Sequence, residues 1–380
     1  MRVAIVGGSL GGLFAAALLR RRGHEVQVFE RSRSGLEGRG AGLVGQREIF
    51  AILRAIGCEH VAHVGVVARE RIILDRSGAV IERHSTPQMQ ISWDHLYRSF
   101  REQLGEGEYR AGRAVLAVGQ DADRAWLRLD DDGIDDADLV IGADGVGSVV
   151  RPAVTGQADE ARFAGYVAWR GLLPEAHLPP HAAELLLDRF AFYYMPRSHV
   201  LGYVVAGPHG EMEPGQRRYN WVWYRPTDDL PSVLTDRHDK PQRFSLAPGM
   251  VPDAARDAML AAARDFLPDV FADAIAAAAT PFIQAIFDYE APRMANGRIA
   301  LLGDAAFVVR PHTAMGVAKA AGDSLALVEA LGKLPLESAL PHYEGARMPL
   351  NRAVAAYGRR LGASLSFSGR ERGRGPAAAE

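Results

Sequence analysis

Residues 2–30 constrain this chain more tightly than any other stretch. Arg2-Val3-Ala4-Ile5-Val6 is a short apolar run rich in β-branched residues and predicts a buried strand. Gly7-Gly8-Ser9-Leu10-Gly11-Gly12 follows at once, and residues 13–22 then read as an alanine- and leucine-rich helix closed by Gly23. Glu25-Val26-Gln27-Val28-Phe29 is a second strand, ending on Glu30. A turn without side chains lets a pyrophosphate approach backbone N–H groups at a helix N-terminus. An acid at the tip of the second strand is placed to accept hydrogen bonds from a ribose diol. The middle glycine of the G-x-G-x-x-G pattern is Ser9 here, which crowds that approach slightly. The alternative, a glycine turn that serves packing alone, is weakened by strand, helix and acid all standing in place.

The rest of the chain leaves room for such a site. Its 380 residues suffice for two domains, or for one large domain with an inserted sheet. Apolar residues make up 48%, enough for a large core and too many for wholesale disorder. Net charge is −2 with the basic residues dispersed, so nothing points to nucleic acid. Cys58 is the single cysteine, which excludes an internal disulfide framework and a cysteine-based metal cluster, and no metal site is expected. The first residues enter a core strand directly, so no signal peptide is expected, and no apolar run has membrane-spanning length. The expectation is a soluble, cytoplasmic protein, monomer or homodimer.

Residues 35–45 (GLEGRGAGLVG) carry Arg39 and lead into a predicted helix, 46–56, closed by Gly57. Such a loop either bends over a phosphate or a flat ring, or is a mobile surface loop. Residues 66–82 predict a hairpin around Asp75-Arg76-Ser77-Gly78. Residues 93–104 predict a helix, with Leu96, Phe100 and Leu104 at helical spacing and Gly105 as the stop. Residues 115–118 and 125–129 read as strands around a polar turn. A further buried strand runs into Gly142-Ala143-Asp144-Gly145, with Ser148 and Arg151 beyond. Ligands of open α/β sheets bind at strand carboxyl ends, so Asp144 is a candidate. The alternative for it is a turn aspartate that caps the next segment.

From 163 to 287 the texture changes to strand-like pieces rich in aromatics. Period-two alternation puts Trp221 and Trp223 on one face of their strand and Val222 and Tyr224 on the other. The segment predicts a mixed or antiparallel sheet with one aromatic face, which suits a planar ligand, although each of these residues taken singly also suits an ordinary core. Residues 250–279 predict alanine-rich helix broken at Pro268. The nucleotide texture then returns: a buried strand, 298–302, then Gly303-Asp304-Ala305-Ala306, Arg310-Pro311-His312-Thr313-Ala314-Met315-Gly316, and a long helix over 317–331. A second strand–acid–helix unit implies an extended ligand held at both ends. The tail from Gly369 predicts disorder.

The order GGSLGG, VQVFER, DLVIGADG and RIALLGDAA…RPHTAMG resembles the FAD-dependent aromatic hydroxylases, the single-component flavoprotein monooxygenases of the para-hydroxybenzoate hydroxylase type, over roughly residues 1–361. GYVAWRG together with GDAA…RPH and a following Ala-Lys is most similar to the branch of that family acting on 2,6-dihydroxypyridine. The resemblance implies non-covalent FAD, with NADPH or NADH and O2 as co-substrates. It implies that Gly7, Ser9 and Gly12 lie by the pyrophosphate, Glu30 on the adenosine ribose and Val115 near the adenine, with Leu10 and Arg31 also among the cofactor-binding residues. Arg39 belongs to the same cofactor set. Asp304 would bond the ribityl chain or pyrophosphate, Asp144 would serve both FAD and NAD(P)H, and Pro311, Ala314, Gly316 and Val317 would border the isoalloxazine. The chain departs from the family pattern at Trp93 (usually arginine), Phe307 (histidine), Ala314 (glycine), Met315 (glutamine) and Ala318 (asparagine). These departures bear on detailed flavin contacts and leave intact the backbone amides at the helix start, which a polarised N1–C2=O needs most.

The chemistry so implied is hydroxylation of a small phenol or hydroxy-heteroaromatic through a flavin C4a-hydroperoxide, which requires an electron-rich ring and exclusion of water. Phe192, Tyr194, Tyr203, Trp221 and Trp223 are the expected pocket walls. His312, beside Pro311, is the expected polar group, titrating near neutrality and taking a proton from a ring hydroxyl, with Tyr194 and Tyr203 next in line. The alternative for His312 is a support histidine bonded to a backbone carbonyl. The expected fold is α/β: a Rossmann-like three-layer FAD-binding domain, an interleaved mixed or antiparallel substrate sheet and a C-terminal helical segment. Residues 1–160 (hairpin insertion at about 66–92) and 291–368 form the first, 161–290 the second, and 369–380 a disordered tail. Other readings are a flavin oxidase or dehydrogenase without oxygen insertion, and a non-catalytic FAD-binding protein.

Overall fold

The computed structural model describes residues 1–33, 35, 36, 38, 42–63, 65–157 and 160–367. Arg39, part of its glycine loop and the tail lie outside the described residues. The protein is α/β, built on a six-stranded Rossmann-like sheet and a nine-stranded mixed sheet. In the first, the strands run in the order Ala295–Asn296, Ile299–Leu301, Leu139–Gly142, Arg2–Val6, Glu25–Glu30, Tyr109–Ala111. All but the first pair are parallel. Strand Arg2–Val6 is apolar on both sides because both are covered: Val3, Ala4, Ile5 and Val6 are all buried. Helix Leu10–Arg21 packs on this sheet, helix Gly316–Lys333 packs on that helix, and a three-stranded sheet, 115–137, also contacts the first sheet. The glycine turn is itself helical from Leu10, three residues earlier than the alanine run alone indicates.

The second sheet runs Ser245–Leu246, Phe282–Glu290, Arg162–Pro174, Arg218–Pro226, Ser198–Val205, Arg189–Met195, Glu70–Leu74, Val80–His84, with Phe307–Val308 paired to Phe282–Glu290. The expected 66–82 hairpin therefore divides. Glu70–Leu74 and Val80–His84 form the hairpin and extend this sheet, through a parallel pairing with Arg189–Met195. Gly65–Ala68 instead joins Gly42–Val44 and Gln88–Ser92 in a small separate sheet. The helix predicted to run to Leu104 ends at Arg101. The break at Pro268 separates helices Asp253–Phe266 and Asp269–Ala276.

The C-terminal helix, Leu336–Phe367, accommodates Pro341 and Pro349 inside its length. It lies close against the segment before helix Gly316–Lys333: a side chain at Gly358 would meet Arg310 N at 3.3 Å, and one at Gly362 would meet Arg310 Nη1 at 2.6 Å. Among the described residues no helix is long and apolar enough to cross a membrane.

Candidate active site

The parallel sheet brings one set of expected site residues to a single edge. Gly7, Glu30, Asp144 and Asp304 follow the carboxyl ends of strands Arg2–Val6, Glu25–Glu30, Leu139–Gly142 and Ile299–Leu301, which are neighbours. Gly7 has φ 104°, a region open to glycine, and a side chain there would stand 2.4 Å from Ala143 O. At Gly12 a Cβ would stand 1.9 Å from Gly7 O, so the turn can close on its helix only without one. Ser9 caps helix Leu10–Arg21 with extended backbone and no side-chain bond, leaving the positive helix end open to an anion. Leu10 is buried and Arg31 exposed. Val115 is buried at the start of strand Val115–Gln120.

Asp144 and Asp304 differ in how they are held. Asp144 Oδ2 accepts from Val149 N at 2.6 Å and Val150 N at 3.3 Å, whereas Oδ1 is enclosed without a partner. Burial raises the Asp144 carboxyl above its usual range, against the Ser148 hydroxyl and these amides. Asp304 is exposed, yet protein crowds around it, and that desolvation likewise raises its carboxyl against the pull of Lys319 and Arg151. Both of those cations are buried. Ala314 takes a left-handed conformation (φ 54°, ψ 16°) before Gly316 and Val317 open the long helix.

The second set gathers on one face of the large sheet. Register pairs Tyr194 with His199, His199 with Tyr224, Phe192 with Leu201, Leu201 with Val222, and Tyr203 with Asn220, so these side chains share a face. Pro311–Thr313, a single turn of 3-10 helix, brings His312 onto that face. His312 Nε2 lies 2.8 Å from Tyr166 Oη, and its ring centre is 4.6 Å from Tyr224 and 5.3 Å from His199. His199 lies 5.7 Å from Tyr194, which stacks on Phe192 at 5.9 Å. Leu201 packs against both aromatic groups, and Val222 beside it belongs to the one with Tyr166 and Tyr224.

Several expectations are corrected here. Trp221 and Trp223 pair with Gly202 and Val200, which places them on the opposite face, fully buried in the main core. They do not line a pocket with His312. His312 does not titrate near neutrality: desolvation, and then the charge on Arg310, push its pKa down to about 3. Its ring bonds a phenol, not a backbone carbonyl. Tyr203 spends its hydroxyl on Gly42 O at 3.0 Å, and burial holds its phenol above the ordinary range, so it is a poor base. Burial likewise lifts Tyr194 to about 12.

Sequence reasoning missed Tyr166, His199 and Tyr224 as neighbours of His312. Tyr166 stood inside GYVAWRG, and Tyr224 on the face that alternation had already separated from the tryptophans. Cys58 is buried, just past the Gly57 cap of helix Arg47–Ile56.

Residues 5–39 match the NAD(P)-binding Rossmann-like domain family, and residues 163–288, the span of the aromatic sheet, match a family described as FAD binding domain-like. The chain is 30% identical to 2,6-dihydroxypyridine 3-monooxygenase of Paenarthrobacter nicotinovorans, over 87% of this chain and 83% of that one. It is 32% identical to 3-amino-4-hydroxybenzoate 2-monooxygenase of Streptomyces cremeus, over 95% of this chain and 86% of the relative. The solved structure of 2,6-dihydroxypyridine-3-hydroxylase from Arthrobacter nicotinovorans superposes with a TM-score of 0.91 at 29% identity, covering 99% of this chain and 95% of that one.

Proposed function

The chain belongs to the FAD-dependent aromatic hydroxylases, and from that premise we propose that it inserts one oxygen atom into a small hydroxypyridine or phenol held on the face of His199, Tyr224 and His312. It is an NAD(P)H-dependent flavoprotein monooxygenase with FAD as cofactor. The residues fit that group: a glycine turn that tolerates no Cβ, an open helix end at Ser9, an exposed Asp304 and an orphaned Asp144 Oδ1 are what a dinucleotide needs. Gly7, Ser9, Leu10 and Gly12 would hold the pyrophosphate, Glu30 the ribose, and Asp304 the ribityl or pyrophosphate oxygens. The amides at Gly316 and Val317 would face the flavin pyrimidine. FAD, when bound, supplies electron transfer from NAD(P)H and activation of O2.

The chain's own part is positioning and water exclusion. Leu201, Val222 and Phe192 give the ring an apolar bed, and Tyr194 and Tyr224 wall it. His312 meets the ring oxygen beside the flavin segment. In this reading residues 1–160 and 291–368 hold the cofactor, and residues 161–290, joined by the inserted hairpin, hold the substrate.

One observation carries the reading. The 2.8 Å bond between Tyr166 and His312 ties the segment that opens helix Gly316–Lys333 directly to the aromatic face. The test is a screen of hydroxypyridines and phenols for stimulated NAD(P)H oxidation, followed by product mass. A product heavier by one oxygen atom is expected. NAD(P)H consumption with no oxygenated product from any ring would refute the proposal.

A further inference from the structure

Asp288 grips Arg310 through both carboxylate oxygens, with Nε at 3.0 and 3.2 Å and Nη2 at 2.7 Å. Both side chains are nearly enclosed, at 13% and 10% exposure. The remaining nitrogen, Nη1, and the Tyr166 hydroxyl both border Gly362, where a side chain would meet them at 2.6 and 3.3 Å. The same hydroxyl is 2.8 Å from His312 Nε2.

These contacts have a direction. A guanidinium carries donors only, and a phenol carries one hydrogen. The guanidinium beside it cannot take that hydrogen, so His312 Nε2, 2.8 Å away, is its acceptor. A neutral imidazole has one donor and one acceptor nitrogen, so the hydrogen of His312 belongs on Nδ1. That nitrogen is enclosed and has no partner among the described residues. Enclosed donors without acceptors are rare and mark places where a ligand completes the network.

We propose that Tyr166 is a positioning residue: backed by Arg310 and Asp288, it holds His312 in the Nδ1–H tautomer, so that His312 offers a ring oxygen a hydrogen-bond donor and not a base. The proposal rests on the hydroxylase reading above and narrows its substrate class. The oxygen facing His312 must accept, as a phenolate or the oxo tautomer of a hydroxypyridine does. A donor at that oxygen stabilises the electron-rich form of the ring, which is the form that captures an electrophilic oxygen atom.

Nitrogen-15 shifts of the imidazoles read the tautomer directly. The sample is the FAD-loaded enzyme labelled at histidine, with His312 assigned through His312→Gln. His312 should be protonated on Nδ1 and bare on Nε2 from pH 6 to 9. Tyr166→Phe, which keeps the ring and removes the hydroxyl, should shift the hydrogen to Nε2 or give a mixture. The same variant should raise KM for a productive ring about tenfold and leave FAD affinity unchanged, the loss of one hydrogen bond to a charged group. Wild-type His312 protonated on Nε2, or doubly protonated, overturns the proposal. So does a tautomer unchanged by Tyr166→Phe. Failure of every ring to be hydroxylated, with the tautomer on Nδ1, would count against the hydroxylase reading and not against the tautomer.

Discussion

Glu30 Oε2 accepts the backbone N–H of Gly8 at 2.9 Å, while Oε1 accepts that of Ser32 at 2.8 Å, so the acid at the second strand's tip clasps the glycine turn. The carboxylate thus shapes the cradle before any ribose reaches it. Glu30→Gln removes the charge and sets a donor against one of the two backbone N–H groups, so half of the clasp is lost. Losing a charge-assisted hydrogen bond costs about 1.5–3 kcal/mol, so FAD affinity should fall roughly ten- to a hundredfold. Flavin fluorescence during titration of the apoprotein measures it; an unchanged dissociation constant would release Glu30 from the cofactor set.

Asp304 gives a signature of opposite signs. Its raised carboxyl favours the folded apoprotein only when protonated, so that contribution is present in acid and lost as pH rises through the folded pKa. Asp304→Asn apoprotein should therefore melt above wild type at pH 7 and level with it below about pH 4. FAD affinity should move the other way, falling roughly ten- to a hundredfold. A variant that melts lower at pH 7 would mean that Asp304 supports the fold instead of the ligand.

Ala314 occupies a left-handed position that glycine adopts without strain. That conformation costs an L-residue roughly 1–2 kcal/mol, and glycine's greater freedom when unfolded returns about 0.4–1 of it. Ala314→Gly should raise stability by about 0.5–1 kcal/mol in urea titration of the holoenzyme. A loss of stability would show the strain to be relieved by contacts of the methyl group.

The two faces of strand Arg218–Pro226 should separate by mutation. Trp221 fills the main core, and a side chain at Gly171 would stand 2.4 Å from it. Trp221→Ala should cost about 3–5 kcal/mol of stability. Leu201→Ala, on the other face and only partly enclosed, should mainly raise KM for the ring. Reversed effects would place the substrate on the wrong side of the sheet.

What the sequence revealed was whatever a short window encodes. The glycine turn, Glu30 and the strands before Asp144 and Asp304 are contiguous signals, and each strand ended within a residue of its apolar run. Alternation also separated Trp221 and Trp223 from Tyr224. It carried no information on which face looks toward Pro311, because that depends on pairing with His199, twenty-five residues away. The state of His312 was hidden for the same reason. Its neutral form follows from burial and from Arg310, and its partner Tyr166 stands 146 residues back in the chain. The glycine loop around Gly42 likewise gave no sign that its carbonyl would take the hydroxyl of Tyr203.

The order of strands in the parallel sheet also sets a timetable for synthesis. Arg2–Val6 lies between Glu25–Glu30 and Leu139–Gly142, and Ile299–Leu301 comes next. The glycine turn is therefore translated first and roofed last. At roughly 5–20 residues per second, the nascent turn waits on the order of 15–60 s for the strand that carries Asp304. Until then the valines and isoleucine of the first strand have only part of their sheet. The first strand is therefore the segment that waits longest on the ribosome for its whole sheet.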